Sequence, residues 1–160
     1  MVTRRPTLYT PANLAAGGTR MSASPASVLE HNKQLTRRWF DEVWNQSRRE
    51  VIYDLFAQEC VLYEGHTPIR GPQEFAAFHD RIRAQFDDVR ITQGVTLAEN
   101  DLVSLRWTVN AVHKGTGKKT SVSGISIVRI KDGRFIEAWQ SWDAAAMAAQ
   151  LSDSPPAPLF

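Results

Sequence analysis

The stretch Thr120 to Asp143, TSVSGISIVRIKDGRFIEAWQSWD, restricts the possible folds more than any other part of the chain. Two runs rich in β-branched and aromatic residues flank Lys131-Asp132-Gly133-Arg134. An Asp-Gly pair between such runs predicts a hairpin, because Gly takes positive φ without steric cost. Side chains alternate along a strand, so Val122, Gly124, Ser126 and Val128 share one face, and Ser121, Ser123, Ile125, Ile127 and Arg129 share the other. On the second strand Ile136, Ala138, Gln140 and Trp142 oppose Phe135, Glu137, Trp139 and Ser141. Both faces carry large apolar groups. Such a sheet needs helices over one face and a second cover, often another subunit, over the other.

Upstream the hydrophobic period is helical. Ser27 to Trp44 reads as an amphipathic helix, with Ser27 as N-cap, Glu30 completing the capping box, and Leu35, Trp39, Val43 and Phe40, Trp44 at helical spacing. Asn45-Gln46-Ser47 breaks it, and Ser47 can cap a second helix from Arg48 to Phe56. Val61 to Glu64 reads as a short strand and Gly65 to Arg70 as a loop. Gly71-Pro72 opens a third helix to about Phe86, with Phe75, Phe78, Ile82 and Phe86 on one face. The period then drops to two: Val89 to Ala98 and Leu102 to His113 are strands, Lys114 to Lys118 is a turn, and Ala144 to Leu151 a short helix after the hairpin.

The 160 residues suit one domain, which buries roughly 68 to 70% of its unfolded surface at about this size and needs no staple to fold. Residues 1–25, with Pro6, Pro11, Gly17, Gly18 and Pro25, are expected to form a loose arm, 26–151 the domain, and 152–160 a Pro-rich tail. Met21 is an alternative start. Arg4-Arg5 resembles the beginning of an export signal, but no apolar run of the required length follows. Cys60 is alone and no Cys/His cluster has zinc spacing, so neither a disulfide nor a metal is expected, and the cytoplasm is the simplest compartment. A net charge of +2 without a basic stripe argues against nucleic acid, and the apolar runs are too short for a bilayer span.

Three helices followed by a curved antiparallel sheet, with a short strand between the second and third, describe an α+β cone. Phe40-Asp41-Glu42-Val43-Trp44-Asn45, Leu55-Phe56-Ala57 with Val61, the Gly71-Pro72 helix start, and Asp132-Gly133-Arg134 with Trp139 resemble the SnoaL-like polyketide cyclases and ester cyclases of the nuclear transport factor 2-like superfamily. The resemblance spans about Val28 to Asp143 and implies an apolar pocket between the concave sheet face and the helices. It places Glu64 where ketosteroid isomerases carry their general base, and Phe40 and Ser126 where those enzymes carry oxyanion donors. The acid/base Asp of the cyclases falls on Gln140, and their pocket His falls on Ser126.

The candidate catalytic residues are therefore Glu64, Gln140, Ser126, Asp143 and His66; the candidate ligand contacts are Phe40, Tyr53, Tyr63, His79, Trp107, Ala138 and Trp142. Glu64 either points inward, where desolvation would raise its pKa, or is a solvated strand end. Asp143 either replaces the missing Asp or caps the last helix. His79 lies on the wet edge of the third helix or caps, Trp107, Trp39 and Tyr53 are core or pocket wall, and Trp44 is core in either case.

Two functions fit. One is a small cofactor-independent lyase, isomerase or hydrolase, cyclase-like, acting on an apolar carbonyl compound. Glu64 would be its base, with Gln140 and Ser126 on the carbonyl oxygen. The other is a non-catalytic module that binds a small ligand or dimerises. Alternation also predicts a homodimer through the convex face, with Ile125, Ile127, Phe135 and Trp139 at its centre and Arg106 and Glu137 around them.

Overall fold

A computed structural model describes residues 24–64 and 67–153, so residues 1–23 of the expected arm, the tail beyond 153 and His66 lie outside the described residues. Helix α1 (Pro25–Arg38) starts two residues earlier than expected. Pro25 supplies a preset φ at the first helical position, and Ser24 rather than Ser27 is the cap, accepting the Ser27 N–H on its hydroxyl at 3.3 Å. The helix passes into a π-helical turn, Trp39–Asn45, whose wider winding brings Trp39, Phe40 and Trp44 toward the interior together. Asn45 ends it by clamping Ile91: its Oδ1 accepts from the Ile91 N–H at 2.7 Å, and its Nδ2 donates to the Ile91 carbonyl at 2.9 Å. An edge strand is thereby tied to the helical layer through main-chain groups otherwise open to water.

Ser47 does not cap the second helix. It sits in the left-handed region at φ 57°, whereas a capping residue is extended, and α2 is only Val51–Leu55. The sheet takes up the difference: β1 runs Phe56–Glu64, longer than expected, and pairs antiparallel with β2 (Thr67–Arg70), a stretch read as loop. Pro68 lacks a main-chain donor, which an outermost strand tolerates. Helix α3 (Gly71–Gln85) follows, then β3 (Phe86–Glu99), β4 (Leu102–His113), β5 (Lys119–Lys131), β6 (Arg134–Trp142) and α4 (Ala144–Leu151).

The sheet order is β2-β1-β6-β5-β4-β3. All neighbours are antiparallel except β1 and β6, which run parallel and set Glu64 beside Gln140, so the sheet is mixed rather than purely antiparallel. The core lies between the concave face, α1, the π-helical turn and α3, where the Trp39 ring centre is 4.8 Å from Phe75 and 5.1 Å from Phe56. Aromatic edges and faces in this range add to plain area burial.

The hairpin forms as expected, with one correction. Arg129 pairs with Glu137, but Ile130 pairs with Phe135, so β6 holds one extra residue at Ile136. A one-residue bulge reverses the alternation beyond it. Phe135, expected on the convex face, is therefore 3% exposed and packs against Trp39 and Phe56. Among the described residues no helix is long and apolar enough to cross a membrane.

Candidate functional site

The helices and the concave face enclose a cavity of about 220 Å³. Its walls are almost wholly apolar and aromatic, and among the described residues Glu64 is the one ionisable side chain that reaches them. The polar groups gather where β1, β6 and β5 run side by side, because strand register puts Glu64 next to Gln140 and Gln140 next to Ser126. Leu62 and Glu64 face inward together, as residues two apart on a strand must.

Glu64 accepts the indole N–H of Trp142 on Oε1 at 3.0 Å, while its Oε2 is buried without a hydrogen-bond partner among the described residues. Burial pushes its pKa above the ordinary carboxylate value, and the Trp142 bond pulls the other way. The Trp107 indole N–H donates to the Ser126 hydroxyl at 2.9 Å, and that hydroxyl donates to Gln140 Oε1 at 3.3 Å. Two indoles thus brace Glu64 and Ser126 in the wall.

Residues 34–151 match the SnoaL-like polyketide cyclases. The chain belongs to that family. Solved structures agree on the fold of this SnoaL-like chain. A protein from Jannaschia sp. CCS1, provisionally named a SnoaL-like polyketide cyclase, is 19% identical with a TM-score of 0.74, covering 84% of this chain and 99% of its own. AclR from Streptomyces galilaeus, provisionally named a hydroxylase, is 22% identical with a TM-score of 0.72, covering 82% and 91%. A hypothetical protein from Catenulispora acidiphila with a ketosteroid isomerase-like fold, in complex with trimethylamine, is 15% identical with a TM-score of 0.67, covering 73% and 91%. At these identities the likeness is one of fold. No curated protein matches the sequence.

Of the expected site residues, Glu64, Ser126, Gln140, Phe40, Trp107, Ala138 and Trp142 line the cavity of this family member. Four do not. Tyr63 is 40% exposed and stacks on Trp139 outside, since alternation turns it away from Glu64. Tyr53 is exposed beside the Arg49 guanidinium. Asp143 caps α4, its carboxylate accepting from the Ala146 N–H at 2.7 Å. His79 is not on a wet edge: it is 3% exposed, its Nε2 lies 3.1 Å from the Val43 carbonyl, and its ring packs on Trp44. Burial lowers its pKa, against the pull of the Val43 contact.

Trp44 is core as expected, and it also lines the cavity together with Trp39, Thr36, Phe75, Phe78, Phe135 and Met147. The helical face carrying Phe75, Phe78 and Ile82 was the available signal, since that face had to meet the sheet. Cys60 is fully buried, and burial pushes its thiol up to about 12, which leaves no thiolate nucleophile at neutral pH. No group of three or more His, Cys, Asp or Glu able to hold a metal occurs among the described residues.

Proposed function

We propose that the chain is a small enzyme that moves a proton on an apolar carbonyl compound without a cofactor. The supporting observation is a carboxylate, Glu64, that is the one ionisable group among the described residues lining an aromatic cavity, one strand away from the amide of Gln140. Glu64 in its ionised form takes a proton from the carbon next to the carbonyl, and Gln140 donates to the carbonyl oxygen as charge builds there. Neutral donors stabilise such an oxyanion well where water is excluded. The raised pKa of Glu64 makes it a stronger base than a solvated carboxylate.

The test is hydrogen–deuterium exchange at the methyl group of 2-acetylnaphthalene in D2O, followed by proton NMR. The unmodified protein is expected to accelerate exchange over an equal concentration of acetate, and Glu64→Gln to lower that rate by on the order of 10²-fold or more. Binding without acceleration would favour the second reading, a non-catalytic ligand-binding module. That reading draws on the absence of a second titratable group among the described residues lining the cavity.

The same reading includes a homodimer. Leu97, Ser104, Ile127, Trp139 and Tyr63 are register partners that form one row across five strands of the convex face, with Ile125 beside it. Leu97, Ile125, Ile127 and Tyr63 are 66, 54, 39 and 40% exposed. A second copy suits this face because an apolar row flanked by both Arg106 and Glu137 is self-complementary about a two-fold axis.

A further inference from the structure

We infer that Trp107 is a positioning residue that decides which end of the Gln140 amide meets the ligand, and so restricts that position to hydrogen-bond acceptors. This inference rests on the carbonyl reading above and goes beyond it. It starts from the direction of the hydrogen bonds. An indole N–H can only donate, so at 2.9 Å the Ser126 Oγ must accept from Trp107. The one proton on that hydroxyl is then free to point elsewhere, and Gln140 lies 3.3 Å away. That proton goes to Gln140 Oε1, so the amide is held by its oxygen. The Gln140 amide nitrogen is left with two N–H groups and no partner among the described residues, on a side chain that lines the cavity. The wall at Gln140 is therefore donor-only. A ligand carbonyl or developing oxyanion meets both N–H groups there with both lone pairs, whereas a hydroxyl meets them only as an acceptor and must turn its own proton away from Gln140.

The relay also revises the part expected of Ser126: its proton is spent inside the wall, and Gln140 alone meets the ligand oxygen. The geometry is built into the sheet. Trp107 pairs across the strands with Gly124, and Ser126 lies two residues further along β5 on the same face. A Cβ at position 124 would stand 2.7 Å from Trp107 Cη2, closer than packed atoms approach, so the glycine lets the indole lie across β5 and reach the Ser126 hydroxyl. Trp107 and Ser126 are 6 and 5% exposed, so water does not compete for either bond.

The experiment compares binding of 2-acetylnaphthalene with that of its alcohol, 1-(2-naphthyl)ethanol, by calorimetry, and reads the carbonyl stretch of the bound, ¹³C-labelled ketone by infrared spectroscopy. The unmodified protein is expected to prefer the ketone by on the order of tenfold or more, with a carbonyl stretch below its value in hexane. Gln140→Leu should erase both. Trp107→Phe and Ser126→Ala should each reduce the preference at least threefold, Ser126→Thr should restore it, and Gly124→Ala should act like Trp107→Phe by displacing the indole. If Trp107→Phe fails to fold, the two Ser126 variants carry the same comparison. A preference unchanged in Trp107→Phe and Ser126→Ala overturns the relay while leaving Gln140 as the carbonyl donor. An alcohol bound as well as the ketone by the unmodified protein, or binding of neither, overturns the relay together with the carbonyl reading.

Discussion

Along β5 and β6 the same strands supply two unlike surfaces. On the concave side Ser126, Val128, Ala138 and Gln140 are small or polar and look into the cavity. On the convex side Ile125, Ile127 and Trp139 are large and apolar, yet Ile125 is 54% exposed. Ordinary sheet logic would put the bulk inside and the polar groups outside. The inversion follows from what covers each side. Trp39, Phe75 and Phe56 already fill the concave side from the helices and β1, so the hairpin contributes floor rather than filling there. On the convex side no described element covers Tyr63, Ile125 and Ile127, which stay exposed.

Three outcomes sharpen or break that contrast, in order of expected size. Phe135→Ala should destabilise the fold by roughly 3 to 5 kcal/mol in urea denaturation, the usual cost of emptying a buried aromatic site. Ile125→Ala, one strand away but on the other face, should cost well under half of that in the monomer; equal losses would mean that the two faces are packed alike. Next, Trp139→Glu should convert a dimer into monomers, seen by sedimentation at micromolar concentration, since burying one large apolar side chain is worth roughly 1.5 to 3 kcal/mol and a buried unpaired charge costs more. A monomeric unmodified protein at that concentration would remove the partner from the convex face.

The smallest effect is a pH shift. Burial raises the pKa of Glu64 and the Trp142 N–H opposes it, so Trp142→Phe should raise it further. Base-catalysed exchange depends on the carboxylate, so its midpoint should move to higher pH. The folded state then binds the proton more tightly than the unfolded chain. The stability tied to Glu64 is full below the ordinary value of 4.5 and falls as pH rises through the folded pKa. Glu64→Gln should abolish that fall, and His79 should work in the opposite sense. Its lowered pKa means stability is lost as pH falls below 6.5. A midpoint unmoved in Trp142→Phe would place the indole outside the site's electrostatics.

Much of this was written locally. The hairpin, the two faces of β5 and the α3 start at Gly71-Pro72 follow from turn chemistry and two- or 3.6-residue periods, which need only neighbouring residues to be read, whereas the direction of Glu64 stayed open. The family resemblance rested on the order of such elements, and it led to seven cavity residues. Tyr53, Tyr63 and His79 do not reach the cavity for a common reason: a residue type suited to chemistry does not say which way it points. Tyr63 illustrates it, because accepting Glu64 as inward already turned Tyr63 outward.

What only the tertiary structure decided are features without a local mark. The extra residue at Ile136, which carries Phe135 into the core, is visible only when β6 is laid against β5. The π-helical turn looks like an ordinary amphipathic helix until Asn45 takes hold of Ile91, 46 residues further on. β2 exists because β1 offers it an open edge, and Glu64 stands beside Gln140 because β1 and β6 run parallel, 76 positions apart in the chain. Periodicity records the faces a segment presents to its surroundings. It holds nothing about which distant segment will meet them, and the donor-only wall at Gln140 is made of those meetings.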